Sequence, residues 1–154
     1  MMVGREVTLV VDKAPAQPTQ PALEVSSLSV LDDRHGPAVR EVSFGVRAGE
    51  IVGMAGVQGN GQTELVEALT GLRPPTAGRV RIGGATTTHA SPREITERGV
   101  AHVPEDRQRD GLVLDFPLTD NLVLSTYYQP PFAKGLVLQE EAIRQNAERL
   151  VEQF

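Results

Sequence analysis

Gly56-Val57-Gln58-Gly59-Asn60-Gly61-Gln62-Thr63 is the stretch whose reading decides the fold. It follows the apolar run Ile51-Val52-Gly53-Met54-Ala55 and opens a segment in which Leu65, Ala68, Leu69 and Leu72 recur at helical spacing. Strand, glycine loop and helix in that order are the setting of a phosphate-binding loop. The glycines let the backbone turn sharply and aim successive N–H groups inward, and the following helix brings its positive end to the same point. Against the pattern G-x-x-x-x-G-K-[ST], Gly56, Gly61 and Thr63 are in register, but Gln62 stands at the lysine position. A carboxamide donates hydrogen bonds to a phosphate oxygen without offsetting the charge that builds during phosphoryl transfer. The loop therefore reads as a nucleotide-binding device poorly equipped for turnover. The bland alternative is an ordinary glycine-rich turn between strand and helix.

Outward from the loop, the N-terminal side begins with MMVGREVTLVV, then Pro15, Pro18 and Pro21, which reads as a linker over 1–21. Leu23, Val25, Leu28, Val30 and Leu31, a polar turn at Asp32 to Pro37, and the alternation Val42, Phe44, Val46 predict two antiparallel strands. Gly49-Glu50 turns into the strand expected at Ile51 to Ala55. On the other side Gly71 stops the helix, and Arg73-Pro74-Pro75 forbids its continuation. Arg79 to Ile82 predicts a strand, and Ser91-Pro92-Arg93-Glu94 a capped helix that stops near Gly99. Val100 to Val103 predicts another strand, delivering Glu105, Asp106, Arg107, Arg109 and Asp110 to the rim where ligands sit in open α/β sheets. A solvated charged loop whose members pair with one another is the competing reading of that cluster. Thr119 and Asp120 begin a short helical piece, and Ile143, Ala147, Leu150, Val151 and Phe154 form one stripe of an amphipathic C-terminal helix that lacks its packing partner or lies on a neighbour.

The 154 residues and 40% hydrophobic content suit one principal domain with a real core. Fifteen basic against 20 acidic residues give a net charge of -5, which argues against general nucleic-acid binding. With no cysteine, a thiolate metal site or disulfide framework is excluded. His35, His89 and His102 fall at no metal-ligand spacing. The sequence carries neither a long apolar run nor a basic-then-apolar leader pattern, the composition expected of a soluble chain.

The segments VSFGVRAGEIVGMAG, GVQGNGQTEL, TGLRPPTAGRVRIGG and VPEDRQRDGLVLDFPLTDNLVL together resemble the nucleotide-binding subunit of an ABC transporter. More narrowly, they resemble the second, degenerate ATP-binding cassette of the double-cassette subunit in bacterial importers of simple sugars and nucleosides. The resemblance covers 22–154, and MMVGREV resembles the tail of a preceding cassette. It implies an α/β fold, part of a P-loop NTPase core over 22–118, with an antiparallel β element at its N-terminus and the start of a helical subdomain over 119–154. It makes Gly56 to Thr63 the Walker A loop. Gly56, Val57, Gln58, Gly59, Asn60, Gly61, Gln62, Thr63, Glu64 and Glu105 become the ATP-contacting set, with Thr63 and Glu105 on Mg²⁺. Glu105 stands where the family usually has the Q-loop glutamine, and no aromatic stands near Asp32 to Gly36 to stack on adenine.

The implied partners are the first cassette of the same chain, transmembrane permease subunits and, indirectly, a periplasmic or lipoprotein solute-binding protein, at the cytoplasmic face of the cell membrane. The family's signature, Walker B carboxylates and switch histidine are expected beyond residue 154; Leu112-Val113-Leu114-Asp115 is no substitute, since Phe116 follows where a glutamate belongs. No catalytic residue is expected within these residues. The competing readings are a scaffold module that retains the nucleotide fold and an unrelated P-loop kinase.

Overall fold

The structure is a computed structural model and describes residues 14–153. Most of the residues 1–21 expected as a linker lie outside the described part; 14–20 are irregular and exposed. The chain divides into two compact units, Met1–Ala90 and Ser91–Phe154.

In the first unit, β1 (Pro21–Leu31) and β2 (Pro37–Arg47) form the expected antiparallel pair, with Val25 opposite Phe44 and Val30 opposite Val39. The turn between them is fixed by Asp32, whose carboxylate accepts from the backbone N–H groups of Arg34 at 2.9 Å and Gly36 at 2.7 Å. β3 (Ala77–Ile82) pairs with the other edge of β1, Val25 facing Val80, and returns through Gly83-Gly84 as the two-residue β4 (Ala85–Thr86). The sheet order is β2-β1-β3-β4, antiparallel throughout.

Helix α1 (Gln62–Leu69) lies on this sheet. Leu65 and Ala68 bury against Val25, Leu28, Val30, Val39 and Val80, and Leu69 packs at the margin. Leu28 and Val30 are wholly shielded from solvent, so each contributes roughly 1.5–3 kcal/mol of transfer free energy. Leu72, placed by spacing on the same stripe, falls past the helix end and is 60% exposed.

Two sequence expectations are corrected. Ile51 to Ala55 is not a strand: the segment from Ile51 to Val57 is irregular and exposed, Ile51 by 90%. Val100 to Val103 is likewise irregular, with Val103 84% exposed. The physical reason is common to both. A parallel core strand is buried on both faces and hydrogen-bonded on both edges, so it forms only between neighbours. Neither run pairs with another strand among the described residues. The two strands whose ends would have formed the expected rim are thus absent among the described residues.

In the second unit, α2 (Pro92–Glu97) begins as expected. Ser91 accepts from the Glu94 N–H, Glu94 reaches back to the Ser91 N–H, and Pro92 occupies the first turn. One π-helical turn, Arg107–Gly111, follows Asp106, whose carboxylate caps the N–H groups of Gln108 and Arg109. α3 (Leu118–Asn121) is a single turn, β5 (Ala133–Lys134) and β6 (Val137–Leu138) form a small hairpin, and α4 (Glu140–Gln153) closes the unit. α4 does not lack a partner: it packs on α3, with Ile143 and Ala147 buried. Val151 on the same stripe is exposed, and Phe154 lies outside the described residues.

Candidate functional site: the glycine loop before α1

Gln58 and Gly59 form a tight turn in which the Asn60 N–H donates to the Val57 carbonyl at 3.2 Å. Gly61 then enters α1 in the left-handed region, φ 90°, and a Cβ there would collide with the Ala38 carbonyl of β2. Only glycine satisfies both demands at once. It is also why this loop meets the hairpin backbone so closely. No side chain caps α1, so the N–H groups of its first turn have no side-chain partner, the condition that suits a helix N-terminus to an anion. Glu64 is acidic in that turn.

Gly56 and Gln62, six positions apart, are brought together. A Cβ on Gly56 would fall on the Gln62 carboxamide nitrogen, so the glutamine side chain folds back across the loop onto the bare Gly56 backbone. The absence of a side chain at Gly56 thus matters for close approach. Val57, Gln58, Gly59, Asn60 and Thr63 are exposed, and Gln62 and Glu64 half-buried. The loop is open on its outer side and carries a neutral donor where the phosphate-loop pattern has a cation.

Glu105 belongs to the second unit, where it is exposed at a bend immediately before the π-helical turn. Among the described residues no group of three or more His, Asp or Glu side chains is arranged to hold a metal ion.

In the sequence Arg73 is marked only as the start of the helix-breaking stretch Arg73-Pro74-Pro75. In the structure its guanidinium donates from Nε to Glu67 at 2.6 Å, from one terminal nitrogen to Asp33 at 2.7 Å and from the other to the Leu31 carbonyl at 3.1 Å. Beside Asp33 first and Glu67 second, the cation is held even more firmly than a free arginine. Two of these partners lie about 40 positions away, at separations of 40 and 42, so no local pattern announces them.

Comparison with known proteins agrees with this fold. The family model described as ABC transporter matches residues 39–153. The chain belongs to that family, and its architecture is part of an ATP-binding cassette. Over all 154 residues it is 47% identical to a nucleoside import ATP-binding protein of Lactococcus lactis subsp. cremoris and 44% identical to a guanosine import ATP-binding protein of Bacillus subtilis. A glucose import ATP-binding protein of Haloferax volcanii is 43% identical over the same length. The chain spans 30%, 30% and 28% of those three relatives. Among solved structures, one ATP-binding cassette of an ABC transporter superposes with TM-score 0.63 at 21% identity, over 87% of this chain and 54% of that one. A cassette from Clostridium perfringens gives 0.59 at 17% identity, over 87% and 50%. At those identities the likeness speaks for the fold.

Proposed function

We propose that this chain is part of the ATP-binding subunit of an ABC importer for a simple sugar or nucleoside, and that its loop binds Mg-ATP while contributing little to hydrolysis. The observation that carries the reading is the loop itself: Gly56 to Thr63 enters α1 through a left-handed glycine, and Gln62 folds across it as a neutral donor. The names of the relatives over the full 154 residues support the transport role and the sugar or nucleoside class. Backbone N–H groups and the end of α1 would bind the polyphosphate; the Thr63 hydroxyl would be the Mg²⁺ ligand at that end, and Glu105 is the carboxylate candidate. Bound Mg²⁺ would supply the positive charge that Gln62 cannot.

In this reading energy comes mainly from a partner site on a first cassette, the helical segment over 119–154 faces permease subunits at the cytoplasmic membrane surface, and a solute-binding protein acts at one remove. No helix among the described residues is long and apolar enough to cross a membrane.

Isothermal titration of the 154-residue chain with Mg-ATP tests the binding half, and a phosphate-release assay the turnover half. Saturable heat with turnover equal to the buffer blank is expected. Absence of heat at millimolar nucleotide would favour a scaffold that keeps the fold without the ligand. Mg²⁺-dependent turnover that survives repurification would overturn the low-hydrolysis reading.

A further inference from the structure

The glycine loop is not anchored from its N-terminal side, because Ile51 to Val57 is irregular and exposed. Its direction is set instead by α1, which packs on the sheet through Leu65 and Ala68 and meets the β1–β2 hairpin at both ends. At the N-terminal end Gly61 rests on the Ala38 carbonyl. At the other end the Leu72 and Arg73 N–H groups close the helix on the Glu67 carbonyl, at 2.8 and 3.1 Å. The Arg73 side chain then turns back to join three elements: Glu67 on the helix, the Leu31 carbonyl at the end of β1, and Asp33 in the turn. The Arg73 side chain is 20% exposed and Glu67 30%, so that pair is shielded, whereas Asp33 at 88% is not.

We infer that Arg73 is a positioning residue for the nucleotide loop, fixing the angle at which the N-terminal end of α1 meets the hairpin. The physical argument is one of leverage. A helix of eight residues is a rod of about 12 Å, packed on the sheet through Leu65 and Ala68 and tied at its C-terminal end by Arg73. Freeing the tied end lets the rod pivot on that packed middle, and the N–H groups of Gln62 and Thr63 swing with it. An arginine suits the task because its planar fork serves a carboxylate, a second carboxylate and a carbonyl at once, which a lysine ammonium on a flexible stem does not do in fixed directions. This role deepens the nucleotide-binding reading and rests on it for its ligand, but not for its geometry.

The test uses Arg73→Met, Arg73→Lys and, as a control, Arg81→Met, which removes an exposed ion pair with Glu24 at 3.4 Å. Residual dipolar couplings of the α1 amides relative to β1 and β2 report the helix angle with no ligand present. Titrations with Mg-ATP and with inorganic tripolyphosphate, well below each variant's melting temperature, report the loop. Arg73→Met is expected to rotate the α1 N–H vectors and to weaken both ligands about tenfold, with Arg73→Lys intermediate and Arg81→Met unchanged. A purely structural role would lower the melting temperature of Arg73→Met while leaving helix angle and tripolyphosphate affinity per folded molecule as in the parent, and that result overturns the inference. If the parent binds neither ligand, the nucleotide reading fails and the positioning of a nucleotide loop fails with it. An altered helix angle would then show that the mechanical coupling alone survives. Should Arg73→Met not fold, Asp33→Asn, which weakens only the exposed arm, carries the same two readouts.

Discussion

Gln62 decides what the loop does with charge. Replacing it by lysine puts a cation at the head of α1, and charge-assisted hydrogen bonds are roughly twice as strong as neutral ones. Gln62→Lys is expected to tighten Mg-ATP binding by about 1–2 kcal/mol, roughly five- to thirty-fold, with a gain that shrinks as salt is raised. Paired titrations at low and high salt check it; equal affinities would mean that the loop does not cradle phosphate. Hydrolysis should not follow, because lysine stabilises charge without positioning water. One residue away the constraint is steric. Gly61→Ala must place a methyl against the Ala38 carbonyl in a backbone region that alanine avoids. A loss of at least about 1 kcal/mol in urea unfolding is expected, and an unchanged midpoint would show that the α1 entry relaxes freely.

At the scale of elements, α2 offers a separable test of local chemistry. Hydrogen bonds from the Ser91 backbone and hydroxyl hold the Glu94 carboxyl below its ordinary 4.5. A depressed folded value means that the contribution is present above the unfolded pKa and is lost as pH falls through the folded one. Protection of the α2 amides should therefore decline only in acid. Carboxyl NMR titration of the parent and of Ser91→Ala checks the cause: the Glu94 midpoint should rise toward its ordinary value in the variant. A midpoint unmoved by Ser91→Ala would sink the hydroxyl's share and leave the Ser91 N–H, which the variant keeps, as the main cause.

The capping box was legible in the sequence because every group that makes it lies within four consecutive residues. The β1–β2 pair, its turn and β3 were legible for a similar reason, since alternation and turn chemistry are local. The Ile51 and Val100 runs read as strands from their composition, yet a strand of that kind is defined by what lies beside it. The same distinction runs through the site. The spacing of Gly56, Gly61 and Thr63 revealed the loop, whereas the close approach of Gly61 to Ala38 and the ties of Arg73 are contacts across the sheet that no periodicity encodes.

At the scale of the molecule, the consequence is an uneven distribution of stability. The first unit concentrates its burial in Val25, Leu28, Val30, Val39, Leu65, Ala68 and Val80, where hairpin, β3 and α1 meet. The apolar residues leading into the loop contribute little to that core: Ile51, Met54 and Val57 are 90%, 51% and 74% exposed. Local opening free energies follow buried contact and hydrogen bonding, so amides of β1 and β3 should exchange slowly and those of Ile51 to Val57 rapidly. Mutation should divide the same way. Leu28→Ala removes a wholly buried side chain and is expected to cost about 2–5 kcal/mol, whereas Ile51→Ser should stay within about 0.5 kcal/mol of the parent. Urea unfolding followed by circular dichroism, with hydrogen exchange on the same three proteins, separates the outcomes. A loss on Ile51→Ser comparable to that of Leu28→Ala would mean that the run before the loop is packed in solution, and that the loop is anchored from both sides rather than through α1 alone.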